Sequence, residues 1–316
     1  MVDTLVLSNN TLIPGNFIAA GGGNAAATAY DGPRGEVWVA DGLSNAVSVI
    51  SDTTDHVVAT VAIPGNPDPV GVAYDSGTGQ VFVANVNADT VSVISDTTDQ
   101  VVASIYVGAA PNAVTYDGAR GEVFVTDSGS SMVSVVSDTT DQVVATVSTG
   151  YYPNAITYDS AKGEVFVASW GTSGILPGNV SVIDDGSDSV VTTIPVGFAP
   201  DALAYDSAKG EVFVAEAGSN RVDVISDATN TVVATVPVGG NALAYDAENG
   251  EIFLTDYGGV ACSDSASVLS DTTDSVVATV VVGNCPDGVA YDAGNGDLYI
   301  SEFGGSISIV SFARDP

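Results

Sequence analysis

The sequence predicts an all-β fold: a seven-bladed β-propeller of four-stranded antiparallel blades, with the N-terminal segment supplying the outer strand of the last blade. Three observations carry this reading. A Tyr-Asp pair, then a turn, usually Gly-Glu, and an apolar run recur seven times, starting at Tyr30, Tyr74, Tyr116, Tyr158, Tyr205, Tyr245 and Tyr291. The spacings are 44, 42, 42, 47, 40 and 46 residues, a period that marks propeller blades when only strand-like segments fill it. The last unit also lacks one strand, while a surplus strand-like segment precedes the first unit.

In chain order, the closure segment 1–22 comes first and contains VDTLVL and TLIPGNFIAA, interrupted at Pro14 and Gly15. The third unit shows the internal logic of a blade. Residues 112–117 (NAVTYD), 121–126 (GEVFVT), 132–137 (MVSVVS) and 142–147 (QVVATV) are rich in Val, Thr, Phe and Tyr, and Gly, Ser, Asp and Asn lie between them. We name these strands A to D from the propeller axis to the rim. Gly121 in the A–B turn suits a hairpin bulge at positive φ. Asp and Thr of the C–D turn SDTTDQ suit local capping. No ten-residue stretch has a helical apolar period, so almost no helix is expected. The last unit has strand A, strand B from Asp297 and strand C over Ser306–Ser311, and then the chain ends. Pairing the N-terminal segment with this strand closes the ring and covers an edge. One domain, 1–316, is expected.

The strand B ends VFVAN (81–85), VFVTD (123–127) and IFLTD (252–256), and the C–D segments TVSVISDTTDQVVASIYVG (90–108) and RVDVISDATNTVVATVPVG (221–239), resemble the YVTN β-propeller repeats of archaeal surface-layer proteins and related secreted bacterial propellers. The resemblance covers essentially the whole chain. It implies seven blades, an extracellular or cell-surface location, and a binding or structural role. One departure is the motif's closing Asn, whose place is held by Asp41, Asn85, Asp127, Ser169, Glu216, Asp256 and Glu302.

Net charge is −33, with only 6 Lys+Arg. That disfavours nucleic acid, whose binding needs cations to displace counterions, and an anionic membrane surface. Three origins fit: a halophile keeping an acidic surface hydrated, an acidophile with little positive charge to repel itself at low pH, or an ordinary secreted acidic protein. Met1 leads directly into VDTLVL without a basic region or cleavage site, and no apolar run is long enough to span a bilayer. The chain is therefore expected to be a mature or excised domain of a larger surface protein. Asn9 and Asn179 begin sequons.

Cys262, in the sixth unit's B–C loop, and Cys285, in the connection to the seventh, emerge on one face of an antiparallel blade. A disulfide suits them, and free thiols in a reducing compartment are the alternative. A zinc site lacks ligands, since His56 is the single histidine and starts an outer strand. Nucleophile schemes that need a histidine base fail for the same reason. The seven marker aspartates, and Asp52, Asp96, Asp138, Asp227 and Asp271, read as turn caps because they repeat. Arg34, Arg120, Lys162 and Lys209 each stand two residues before a Glu and read as exposed A–B turn pairs. Trp38 and Phe82 read as blade packing.

Function is sought where the repeat breaks its symmetry, on the face of the B–C and D–A loops. Four residues before the marker Tyr stand Ala26, Val70, Asn112, Asn154, Asp201, Asn241 and Asp287. Eleven residues after it stand the strand B ends, among them Asp127, Glu216, Asp256 and Glu302. Tyr151, Tyr152, Trp170, Phe198, Tyr257 and Phe303 fall in the same arc, units three to seven. This half-ring suits a sugar, with rings stacking on apolar faces and hydroxyls meeting acids and amides. The competing reading is that the acids cap their own loops and the aromatics cover blade seams. Three functions follow: a non-catalytic binding or scaffold propeller engaging a glycan, cell-wall component or protein; a calcium- and carboxylate-dependent hydrolase or lactonase with the metal on Asp201 and Asp287; or a structural cell-wall spacer. No cofactor is expected, calcium for the hydrolase reading being the one alternative.

Overall fold

The computed structural model describes residues 17–19, 25–172, 175–256 and 263–311. All the regular structure among them is β, in seven sheets of four strands each. The third blade consists of Pro111–Asp117, Glu122–Asp127, Met132–Ser137 and Gln142–Ser148, within a residue of the segments read from sequence. The strands pair antiparallel in chain order, and the other complete blades repeat this. Strand A of each blade packs on strand A of the next, and Ala25–Asp31 touches both Pro69–Asp75 and Pro286–Tyr291, so the ring is closed.

The last blade takes its fourth strand from the other end of the chain. Phe17–Ala19 pairs antiparallel with Ser306–Ser311, in the register Phe17 to Ser308, Ile18 to Ile307 and Ala19 to Ser306.

Burial explains the sequence pattern. Each blade is sandwiched between two others, so strands B and C are buried on both faces and read as continuous Val/Phe/Ile runs. Strand D alternates at the rim, as in Gln142–Ser148. Seven apolar clusters fill the seven seams. The eighth residue after each marker Tyr anchors a seam: Trp38, Phe82, Phe124, Phe166, Phe213, Phe253 and Tyr299 are all essentially inaccessible. Phe82, for example, joins Val91 and Val93 of its own blade to Val123, Val125 and Val136 of the next.

A polar latch accompanies each apolar seam. Tyr74 donates to Asp96 Oδ2 of its own C–D turn at 3.2 Å, and its hydroxyl also faces Asp31 of the preceding blade. The same arrangement of a hydroxyl near a preceding-blade carboxylate recurs at Tyr30, Tyr116, Tyr158, Tyr205 and Tyr245. Burial, reinforced by these carboxylates, pushes each hydroxyl's pKa upward, so the phenol stays a donor. All seven marker aspartates cap their A–B turns through Oδ1, as expected. The C–D aspartates do more than cap. Asp52, Asp96, Asp138 and Asp227, and Asp185 at the matching position of the fourth blade, accept the tyrosine hydroxyl. Their carboxylates also lie where a side chain on the A–B turn glycine would stand. A Cβ on Gly121, at φ 68°, would meet Asp138 Oδ1 at 2.7 Å.

Two of the four expected turn pairs differ from the sequence reading. Arg34 and Arg120 hold Glu36 and Glu122 at 2.8 Å. Lys162 and Lys209 instead cross the seam to the backbone carbonyls of Asp227 and Asp271, with the carboxylates at 3.4 and 3.7 Å. Four methylenes let lysine span the gap, whereas the arginine fork closes on the local carboxylate.

Two outcomes test this construction. Phe213→Ala empties the center of a seam and is expected to cost roughly 3–5 kcal/mol by urea denaturation. Deleting residues 1–19 leaves Ser306–Ser311 an open edge and is expected to lower the urea midpoint of the whole cooperative transition; an unchanged midpoint contradicts closure by this strand.

Candidate functional site

The inner ends of the strand A segments surround a central cavity of about 950 Å³. Its lining includes Val70, Asn112, Asn154, Asp201, Asn241 and Asp287, five of them residues that the sequence reading placed in the site. Local backbone structure puts them there. Strand A carries a register shift at its start, between Pro153 and Ala155, Pro200 and Ala202, and Pro286 and Gly288, so Asn154, Asp201 and Asp287 are the extra residues of bulges. A shift between Pro111 and Val114 brackets Asn112 in the same way. A bulge leaves its extra residue out of the ladder and re-aims the side chain, here toward the axis.

The inward side chains link into a belt. Asn112 Nδ2 donates to Asn154 O and Oδ1 at 2.8 and 2.7 Å, and Asn154 Nδ2 donates to Asp201 Oδ1 at 3.3 Å. Asn241 Nδ2 donates to Asp287 O and Oδ1, both at 3.0 Å. Trp170 of the long fourth B–C loop stands close enough to the Asp201 carboxylate to favour its charged form, which places the aromatic rim beside the belt. Burial pushes Asp201 up to about 6, with Trp170 opposing and the Asp287 carboxylate adding to the rise. Burial likewise pushes Asp287 up to about 6, against the Asn241 bond. Asp256 and Phe303 also line the cavity, and among the described residues no Lys, Arg or His does.

The strand B ends divide. Asp127, Glu216 and Glu302 are buried beside their own loops, not in the channel. Asp127 accepts Ser134 Oγ at 2.7 Å, and burial raises its pKa to about 6. Glu216 accepts Arg221 Nε at 2.9 Å and the Gly197 amide at 2.8 Å. Glu302 accepts Ser306 Oγ at 2.5 Å and Ser308 Oγ. These acids tie the incoming D–A connection to strands B and C. A side chain at Gly197 would collide with Glu216 Oε2. For these three, loop capping describes the placement and ligand contact does not. Chain spacing alone did not separate them from the inner set, because it does not show which face of a pleated strand turns to the axis.

The aromatic arc is exposed. Tyr151, Tyr152, Trp170, Phe198 and Phe303 are 62, 54, 41, 42 and 51% accessible. The backbone amides of Trp170 and Gly171 donate to Tyr152 O and Tyr151 O, both at 3.1 Å, which sets the two loops side by side. Ile175 and Leu176, which the sequence reading did not single out, add exposed apolar surface to the same loop. Tyr257 and Cys262 lie outside the described residues. Cys285, the other half of the expected bridge, is buried. Among the described residues no three His, Cys, Asp or Glu side chains converge in a metal-binding group.

Comparisons with known proteins agree on the propeller. A family model described as YNCE-like beta-propeller matches residues 7–121. No curated protein sequence matches the chain. Among solved structures, a chain of Kuenenia stuttgartiensis hydrazine synthase superposes with a TM-score of 0.83 at 16% identity, over 93% of this chain and 97% of that one. The chain is a β-propeller; at this identity the structural likeness concerns the fold alone.

The channel carboxylates make a pH-dependent prediction. A folded-state pKa raised above the unfolded value means that the folded protein binds the proton more tightly, so stability is lost as pH rises from about 4 through 6. Asp201→Asn keeps the amide-facing oxygen and removes the charge. It is expected to raise the thermal midpoint at pH 7.5 and to leave it nearly unchanged at pH 4.5. Equal effects at both pH values contradict the assignment.

Proposed function

We propose that this protein is a non-catalytic binding propeller of the cell surface or extracellular space, and that it holds a glycan at the channel mouth on the B–C and D–A loop face. The observation that carries this reading is the coupling of Trp170 to Asp201. An exposed indole stands beside a carboxylate that is itself part of an amide–carboxylate belt. Sugars present an apolar ring face and a rim of hydroxyls. Stacking on Trp170, Tyr151 or Tyr152 with hydroxyl bonds to Asp201 and the asparagines meets both. The family resemblance of the repeats supports the surface location. A bridge between Cys262 and Cys285 belongs to the same proposal, because disulfides persist in oxidising compartments.

A glycan array on the intact chain, followed by calorimetry on the best binder, tests the reading. Trp170→Ala, Tyr152→Ala and Asp201→Ala are each expected to weaken binding about tenfold or more, the loss of one stacking or charged contact, with little change in thermal midpoint at pH 6. Tight binding left untouched by all three changes places the ligand elsewhere; no saccharide bound at all rejects the glycan reading.

A further inference from the structure

The amide nitrogens of the channel belt already donate within the belt. Asn112 Nδ2 donates to Asn154, Asn154 Nδ2 to Asp201, and Asn241 Nδ2 to Asp287, so both runs of donation end on a carboxylate. What the belt offers a ligand is therefore chiefly acceptors, and an ionised carboxylate can only accept. Burial holds Asp201 and Asp287 at about 6, so above that pH both are mainly charged. Among the described residues neither forms an ion pair, and no Lys, Arg or His lines their cavity. Largely buried carboxylates gain most from a partner that brings both positive charge and hydrogen atoms.

The rest of the cavity wall is apolar. Two residues nearer each marker Tyr, strand A brings Val72, Val114, Ile156, Leu203, Leu243 and Val289 to the same space of about 950 Å³. In the second blade Val70 stands where later blades carry an amide or acid. Phe303 lines the cavity, and Trp170 stands beside Asp201. A hard metal ion fits this wall poorly. Such ions take six or more oxygen ligands, and among the described residues no three acidic, His or Cys side chains converge. An organic ammonium fits it well. It has three N–H donors and no acceptor, its carbon skeleton can lie on the aliphatic wall, and aromatic faces attract its charge.

We propose that the channel site recognises a primary ammonium on its ligand, met by the carboxylates of Asp201 and Asp287. Resting on the glycan reading for the remainder of the ligand, this makes the saccharide an amino sugar whose amine is free, not acetylated. The amine enters the belt, the ring stacks on the aromatic mouth, and the sugar hydroxyls meet the remaining acceptors. Acetylation would remove the charge and add an apolar methyl and a carbonyl acceptor, and a belt made chiefly of acceptors does not reward a carbonyl.

Calorimetry on the intact chain at pH 6.5 and physiological ionic strength tests this with a glucosamine tetrasaccharide, its fully N-acetylated counterpart and 1,5-diaminopentane. The free-amine saccharide is expected to bind about tenfold or more tighter than the acetylated one, the worth of a charge-assisted contact. Asp201→Asn and Asp287→Asn keep the oxygen that accepts the belt amide and remove the charge. Each is expected to erase most of that preference and to leave binding of the acetylated sugar nearly unchanged. Glu248→Gln removes one charge from an exposed A–B turn on the opposite face and is expected to change neither. A protein of net charge −33 attracts any polyamine, so equal losses in Glu248→Gln and Asp287→Asn overturn the inference in favour of that general attraction. Equal affinity for the two saccharides, weakened by Trp170→Ala, overturns it while the glycan reading stands. Diaminopentane bound through Asp201 and Asp287, with neither saccharide bound, upholds ammonium recognition and rejects the glycan reading. Binding of none of the three overturns both.

Discussion

Every blade of this protein has two apolar faces, so no blade is stable alone, and the whole structure depends on stacking blade against blade until none is left uncovered. The strand B aromatics from Trp38 to Tyr299 are where that requirement is met, one per seam and each essentially inaccessible. The tyrosine–aspartate latches add direction to this non-directional packing. A hydroxyl bonded to its own C–D turn and facing the preceding blade's carboxylate sets how adjacent sheets register. At the closing seam the chain passes from Phe17–Ala19 of the last blade to Ala25–Asp31 of the first, and that outer strand is tied to its own blade by pairing alone. Pairing of Phe17–Ala19 with Ser306–Ser311 is therefore what locks the ring.

Most of this architecture was legible in the chain because repetition averages out local ambiguity. Seven Tyr-Asp markers fix the blade count, and the VFVT-like runs locate the doubly buried strands. The missing last strand points to closure by the N-terminus. What did not read through was side-chain reach across seams. Lys162 and Glu164 look like a local pair in the sequence, and only the placement of the next blade shows the lysine bridging to Asp227. The C–D aspartates likewise look like turn caps until the folded sheet brings the marker tyrosine over them.

The candidate site was legible in part, for a reason that separates its two residue sets. Asn112, Asn154, Asp201 and Asp287 line the axis because they lie at the start of the innermost strand, where bulges re-aim them, Asn241 stands just ahead of its strand, and the repeat position alone located all five. Asp127, Glu216 and Glu302 occupy an equally regular position but are spent on serine hydroxyls, an arginine and backbone amides. Loop length was the more reliable guide. The extended fourth B–C loop carries Trp170 to the belt, and departures from the repeat of this kind are where a rigid ring acquires individual chemistry.

The central claim is that the ring is one cooperative unit closed by its N-terminal strand, with individuality confined to one loop face. Native-state hydrogen exchange on the intact chain measures this most directly. The account predicts that amides of strands B and C in all seven blades, including Ser306–Ser311, open with one common free energy. Early exchange is then restricted to loops and to the outward amides of the rim strands. If the last blade instead exchanges at a distinctly lower free energy than the other six, the ring is not locked by its N-terminal strand and the account is wrong.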